Sequence, residues 1–193
     1  MRKAELTRTT RETDVFVSLN LDGNGTSDIS TGIGFFDHML TALAMHGGFD
    51  LTVKVKGDLE VDCHHTIEDT AIVLGDVFAA CIGDKKGINR YGSAFVPMDE
   101  SLGFVSLDIS SRPYLVFDAS FKADQIGSFD TQMIGEFFRS FAFHALITLH
   151  ARVMYGENDH HKAEALFKAL GQALKQAVSA NKNGVLLSTK GVL

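Results

Sequence analysis

The sequence contains the pattern His-His-x-x-Glu twice, at residues 64–68 and at residues 160–164. In a helix, residues four positions apart lie on the same face, so the first histidine and the glutamate of each pattern can bind one metal ion together. The second histidine points about 100° away and cannot easily reach the same ion. Imidazole with carboxylate suits Mn, Fe or Zn, and the pattern therefore predicts transition-metal sites.

The simplest arrangement has two metal ions, each bound by the first histidine and the glutamate of one helix and by the second histidine of the other. This arrangement predicts that one ion is bound by His64, Glu68 and His161 and the other by His160, Glu164 and His65. Cysteine is missing from both sets, which indicates catalytic ions with open positions rather than a closed structural zinc. The alternative is that each pattern is a solvated helix start, with its glutamate near the positive end of the helix dipole.

The spacing of apolar residues places both patterns at the start of a helix. In the first half, it predicts strands at 2–9 and 13–21, a helix at 34–46, a strand around 51–55 and a helix at 65–82. In the second half, it predicts strands at 102–109 and 114–121, a helix from 130 or 131 to 145, a strand at 147–154 and a helix at 160–180. The pattern favours a tandem duplication of a ββαβα unit in the α+β class, with a single mixed sheet as the alternative. We expect one catalytic domain made of two repeats, at about 1–95 and 96–193.

Composition restricts the partners and the location. The chain has 193 residues and a net charge of −6, which argues against nucleic acid or an anionic membrane as a partner. Because no apolar run is long enough to span a membrane and no secretory signal opens the chain, a cytoplasmic protein is expected. The two cysteines, Cys63 and Cys81, do not make a disulfide framework. We expect Cys63 to be a small buried residue rather than a thiolate ligand.

Segments along nearly the whole chain match one known family. Residues 62–68 and 156–168, which contain the two patterns, are similar to its two characteristic segments. Further matches lie at residues 8–13, 34–40, 90–92, 97–100, 108–113 and 188–191. Through these segments the sequence resembles imidazoleglycerol-phosphate dehydratase. The resemblance implies a ribosomal-protein-S5-domain-2-like fold and a homo-oligomer in which trimers assemble into a 24-subunit cage, with active sites at subunit interfaces.

The resemblance also implies the ligands of two Mn ions per active site. One ion would be bound by His38, His65, His160 and Glu164, and the other by His64, Glu68, His161 and the residue at position 136. Position 136 is a histidine in many family members and is Glu136 here. A carboxylate can still bind Mn, so Glu136 is included among the expected ligands. His38 is expected from the resemblance alone.

The reaction implied by the resemblance is the dehydration of D-erythro-imidazole-glycerol phosphate to imidazole-acetol phosphate, a step of histidine biosynthesis. The expected catalytic residues are Glu12, as the base, together with His65 and Glu164. The small phosphorylated imidazole substrate would be bound by Glu12, Arg90, Arg112, Lys168, Ser188, Thr189 and Lys190; Thr189 stands where the family usually has serine. The alternatives are a two-metal phosphohydrolase and a non-enzymatic metal-binding cage.

Overall fold

The computed structural model describes residues 2–181 and 184–191, which form two units with the same order of elements. The first unit consists of β1 (Lys3–Thr9), β2 (Thr13–Asn20), β3 (Ser27–Ser30), α1 (Gly34–Gly47), β4 (Asp50–Gly57) and α2 (His64–Ile82). The second consists of β5 (Tyr91–Met98), β6 (Ser101–Asp108), β7 (Tyr114–Asp118), α3 (Gln132–His144), β10 (Thr148–Tyr155) and α4 (Asp159–Val178). A short hairpin of β8 (Gln125–Ile126) and β9 (Phe129–Asp130) precedes α3.

The two sheets have the same strand order and the same pairing. Their orders are β1-β2-β4-β3 and β5-β6-β10-β7. In each sheet the last strand pairs in parallel with its neighbour, and the other pairs are antiparallel. The structure therefore confirms the predicted α+β duplication and excludes a single mixed sheet.

Each unit contains one strand more than the predicted ββαβα pattern. In the first unit the missed strand is β3, which has only four residues and follows a glycine-rich turn, so it is too short to show a clear alternation. In the second unit the missed strand is β5, where Gly92 and Pro97 interrupt the pattern of apolar and β-branched residues. The second unit consequently begins at Tyr91, and β5 crosses the boundary that was expected near residue 95.

The four helices form a layer between the two sheets, with α1 packed against α4 and α2 against α3. One continuous apolar core joins the units, and in it Phe137 of α3 contacts Phe36 of α1 and Phe167 of α4. The crossing of α1 and α4 is close: a Cβ on Gly171 would lie 2.5 Å from the carbonyl oxygen of Leu43. This crossing brings α1 beside the start of α4. In the described residues, none of the helices has the length and apolarity needed to cross a bilayer.

Candidate active site

Two imidazoles and one carboxylate converge where α1 crosses the start of α4. The Nε2 atoms of His38 and His160 lie 3.4 Å and 3.2 Å from Oε2 of Glu164. The ligand atoms of these three residues, here called the α1–α4 cluster, lie within 4.8 Å of one another, and no other such group of three occurs in the part of the chain that the structure describes. Two imidazole nitrogens and one carboxylate oxygen suit a transition-metal ion.

Glu164 is kept ionised at this cluster. Its side chain is 9 % exposed, and the Nζ atom of Lys168 lies 2.7 Å from its Oε1. Burial acts to raise the pKa of Glu164, but Lys168 and His38 outweigh burial and the pKa is lowered. Glu164 therefore presents a charged oxygen to the imidazoles. Lys168, expected to bind substrate, lies against Glu164 and 3.5 Å from the sulfur of Met98.

The first turn of α4 is held by its N-cap residue, Asn158. The side-chain oxygen of Asn158 accepts hydrogen bonds from the backbone N–H groups of His160 at 2.9 Å and His161 at 3.3 Å. The ring of Phe35 packs edge-on against that of His160, with centroids 5.0 Å apart. The cap and this contact together orient His160 towards α1.

A related group lies at the start of α2. The Nε2 atom of His64 is 3.5 Å from Oε2 of Glu68, as the four-residue spacing predicts. Arg139 of α3 reaches Oε1 of Glu68 at 3.9 Å and donates from Nε to Oε2 of Glu136 at 3.1 Å. We call His64, Glu68, Glu136 and Arg139 the α2–α3 cluster. Glu136 thus lies in the same cluster as His64 and Glu68, the residues with which it was expected to bind a metal ion.

The second histidine of each pattern faces a carboxylate from another element. Nδ1 of His65 donates to Asp58 at 3.0 Å, and Nδ1 of His161 donates to Glu100 at 2.7 Å. These hydrogen bonds are the main cause of the raised pKa of each histidine. An ionised carboxylate can only accept a hydrogen bond, so Nδ1 must carry the proton. In a neutral imidazole Nε2 then has a free lone pair for a metal ion, which is the usual arrangement of a metal-bound histidine.

The arrangement differs from the one predicted from helix geometry. Among the described residues, no group of three metal-ligating atoms within 4.8 Å includes His65 or His161. Within one chain, His161 therefore does not join His64 and Glu68, and His65 does not join His160 and Glu164. The physical reason is the pairing of helices: α4 packs against α1, and α2 packs against α3. His38 on α1 consequently takes the place beside His160 that helix geometry had assigned to His65.

Glu12 lies beside His65, with its Oε1 3.9 Å from Nε2 of the imidazole. Its side chain is 55 % exposed, in the turn between β1 and β2. The hydroxyl oxygen of Thr10 holds this turn by accepting from the backbone N–H groups of Glu12 at 3.1 Å and Thr13 at 3.0 Å. The structure thus brings together two of the three expected catalytic residues and leaves the third, Glu164, in the α1–α4 cluster.

A groove of about 640 Å³ collects most of the expected substrate-binding residues. It is lined by Arg90, Tyr91, Arg112, Leu186, Leu187, Ser188, Thr189 and Lys190. Arg90 forms a two-point ion pair with Asp108, at 2.6 Å and 2.9 Å, and donates to the carbonyl of Leu187 at 2.6 Å. Arg112 lies 3.6 Å from the same carboxylate and is largely exposed. The groove thus contains the cationic groups of Arg90, Arg112 and Lys190 and the carboxylate of Asp108. The excess of positive charge suits a phosphate group.

Several residues around the clusters were not predicted. Asp58, Glu100 and Arg139 come from the loop after β4, the turn between β5 and β6, and helix α3. No spacing rule links them to the histidines, although Glu100 lies in the segment 97–100 that matched the family. Cys63 agrees with expectation, since it is buried and burial raises the pKa of its thiol.

Comparisons with known proteins agree with the geometry. Residues 31–174 match the family model described as imidazoleglycerol-phosphate dehydratase. The imidazoleglycerol-phosphate dehydratase of Acetivibrio thermocellus is 57% identical over 100% of this chain and 99% of its own length. That of Clostridium acetobutylicum is 59% identical over 98% of this chain and 97% of its own length.

Solved structures lead to the same result. The crystal structure of imidazoleglycerol-phosphate dehydratase from Staphylococcus aureus has a TM-score of 0.84 and 41% identity, covering 93% of this chain and 99% of that one. The enzyme from Pyrococcus furiosus has a TM-score of 0.84 and 38% identity, covering 97% of this chain and 100% of that one. The chain therefore belongs to the imidazoleglycerol-phosphate dehydratase family, the hydro-lyases of that name in histidine biosynthesis.

Proposed function

We propose that this dehydratase converts D-erythro-imidazole-glycerol phosphate to imidazole-acetol phosphate at two-metal sites that form between copies of the chain. One observation carries the proposal. The two clusters collect imidazole and carboxylate groups, while His65 and His161 have Nδ1 bonded to a carboxylate and belong to no group of three close ligand atoms among the described residues. In an oligomer, His65 of one copy can complete the α1–α4 cluster of another, and His161 can complete an α2–α3 cluster in the same way.

The donor atoms fit two Mn ions per active site. We propose that one ion is bound by His38, His160 and Glu164 of one chain with His65 of another, and the other by His64, Glu68 and Glu136 of one chain with His161 of another. Mixed nitrogen and oxygen donors suit Mn, Fe and Zn, and Mn is the ion that the family resemblance implies. A bound ion of this kind would supply Lewis-acid chemistry and orient the substrate imidazole.

The other residues have roles that follow from their placement. We propose that Glu12 is the base, because its exposed carboxylate lies beside His65, a proposed metal ligand, where it could accept a proton from a bound substrate. Arg90, Arg112, Ser188, Thr189 and Lys190 would bind the phosphate group in the groove that they line. Lys168, next to Glu164, would contact the substrate from the metal side.

The resemblance also supports a proposal about organisation. We propose a single catalytic domain made of the two units, trimers that assemble into a 24-subunit cage, and a cytoplasmic location. The net charge of −6 argues against a nucleic-acid or membrane partner.

Metal removal tests the function. Treatment with a chelator should abolish formation of the ketone product, and added Mn should restore it; elemental analysis and product absorbance report both. Release of inorganic phosphate without the ketone would favour a two-metal phosphohydrolase. Metal loading without either product would favour a metal-binding cage. Dehydration that survives thorough metal removal would refute the proposal.

Mixing two inactive variants tests whether the sites are shared between chains. His65→Ala and His160→Ala should each be inactive alone. In oligomers formed from an equal mixture, about a quarter of the sites should combine an intact His160 with an intact His65 of another chain, and activity should return to about a quarter of the wild-type value. The matched control is a mixture of His38→Ala and His160→Ala, which should stay inactive because both ligands belong to one chain's cluster. If the two mixtures are equally inactive, the idea of shared sites is wrong.

A further inference from the structure

The carboxylate of Glu164 is divided between two kinds of neighbour. Its Oε2 faces the imidazoles of His38 and His160, at 3.4 Å and 3.2 Å. Its Oε1 lies 2.7 Å from Nζ of Lys168, one helical turn further along α4. The lysine thus holds one oxygen and leaves the other for the imidazole side, where a metal ion would bind.

The carboxylate of Glu68 is divided in the same way, although its own helix provides no cation for the purpose. Its Oε2 lies 3.5 Å from Nε2 of His64, and its Oε1 lies 3.9 Å from the guanidinium of Arg139. One turn after Glu68 the helix has Ile72, where α4 has Lys168 after its glutamate. In the first unit, the cation beside the carboxylate therefore comes from α3.

Arg139 also holds the carboxylate of Glu136. Its Nε donates to Oε2 at 3.1 Å, a second guanidinium nitrogen contacts Oε1, and the hydroxyl of Ser140 donates to Oε1 at 3.0 Å. These hydrogen bonds hold the carboxylate of Glu136 in one orientation.

Arg139 also balances the negative charge of the two carboxylates. Glu136 adds a second negative charge beside that of Glu68, and Arg139 contacts both carboxylates. Two unpaired carboxylates would repel each other and turn towards water. A guanidinium is a planar fork that can serve both carboxylates with a fixed geometry, which the single ammonium of lysine does less well.

We propose that Arg139 is a positioning residue of the α2–α3 cluster, holding Glu136 and Glu68 in place for a metal ion and offsetting the charge that Glu136 adds. The inference rests on the proposed function, because it assumes a metal ion at this cluster. Arg139 does for Glu68 and Glu136 what Lys168 does for Glu164. Its side chain is 54 % exposed, and exposed ion pairs contribute little to stability. Its removal should therefore change metal affinity far more than folding.

The test is equilibrium dialysis of the full-length protein against Mn, with elemental analysis of bound metal. Arg139→Gln should weaken one of the two ions about 10-fold or more, since residues that orient metal ligands have effects of that size. The other ion should bind as in the wild type. The matched control is Arg152→Gln, which removes an exposed ion pair with Asp118, 2.5 Å long, on the second sheet. That variant should bind both ions normally.

A second measurement separates positioning and charge balance from a purely structural role. In a Glu136→His background the added charge is gone, so Arg139→Gln should weaken the ion much less than it does in the wild type. Arg139→Lys keeps the charge without the fork and should lie between the wild type and Arg139→Gln. Equal weakening in both backgrounds would overturn the inference, and so would two ions bound by Arg139→Gln with wild-type affinity. A wild-type protein that binds no Mn would instead overturn the proposed function.

Discussion

Replacement of Asn158 by alanine removes the side chain that caps α4 just before the second His-His pattern. Two backbone N–H groups, those of His160 and His161, then lose an acceptor that lies at 2.9 Å and 3.3 Å. The loss of an N-cap costs about 1 kcal/mol. For a chain of this size, about 1 kcal/mol lowers the melting temperature by roughly 2–4 °C.

The same replacement should weaken metal binding at the α1–α4 cluster. His160 comes from the first turn of α4 and Glu164 from the next, so a frayed first turn separates the two ligands. If binding requires the capped turn, about 1 kcal/mol corresponds to roughly fivefold weaker binding. The ion at the α2–α3 cluster should be weakened as well, because its proposed ligand from another chain, His161, lies in the same capped turn.

Thermal denaturation of metal-free protein measures the first effect, and equilibrium dialysis against Mn measures the second. The matched control is Asn158→Asp, which keeps the acceptor and adds a charge that is favourable at a helix N-terminus. It should behave like the wild type in both assays. If Asn158→Ala melts earlier but binds both ions with unchanged affinity, the cap does not position His160. An unchanged melting temperature would refute the stabilising role of the cap itself.

Two further predictions concern the base and the dependence of stability on pH. Glu12→Gln should load metal normally and lose turnover by about 100-fold or more, as expected for a general base; product absorbance and elemental analysis check this, and retained turnover would remove Glu12 from that role. Asp50 accepts hydrogen bonds from the N–H groups of Asn24 and Thr26, which lower its pKa. Its carboxylate therefore contributes stability above its unfolded pKa, and the contribution is lost as the pH falls through the lower folded pKa. Urea denaturation should show Asp50→Asn less stable than the wild type at neutral pH and equal to it in acid; a difference that does not change with pH would contradict this.

The local part of the candidate site was predictable from sequence. The pairing of His64 with Glu68 and of His160 with Glu164 depends only on the period of a helix, and the distances of 3.5 Å and 3.2 Å agree with it. The duplication was also predictable, because the same order of strands and helices occurs in both halves. The strands β3 and β5 were missed because one is very short and the other is interrupted by glycine and proline.

The part that depends on contacts between elements was not predictable from spacing. His38 is 122 residues from His160 along the chain and meets it because α1 packs against α4, a crossing that Gly171 makes possible. Arg139 contacts Glu68 because α3 packs against α2. These contacts are set by the burial of apolar faces, which has no specific direction and so leaves no fixed interval in the sequence.

The sequence by itself determined which helices begin with adjacent imidazoles, which glutamate follows each pair one turn later, and that the unit occurs twice. Only the tertiary structure decided which side chains meet them: His38 beside the second pattern, Arg139 beside the first, and a carboxylate behind each of His65 and His161. The physical reason is that helix geometry relates residues within a few positions, whereas the packing of two sheets around four helices relates residues that are far apart in the chain.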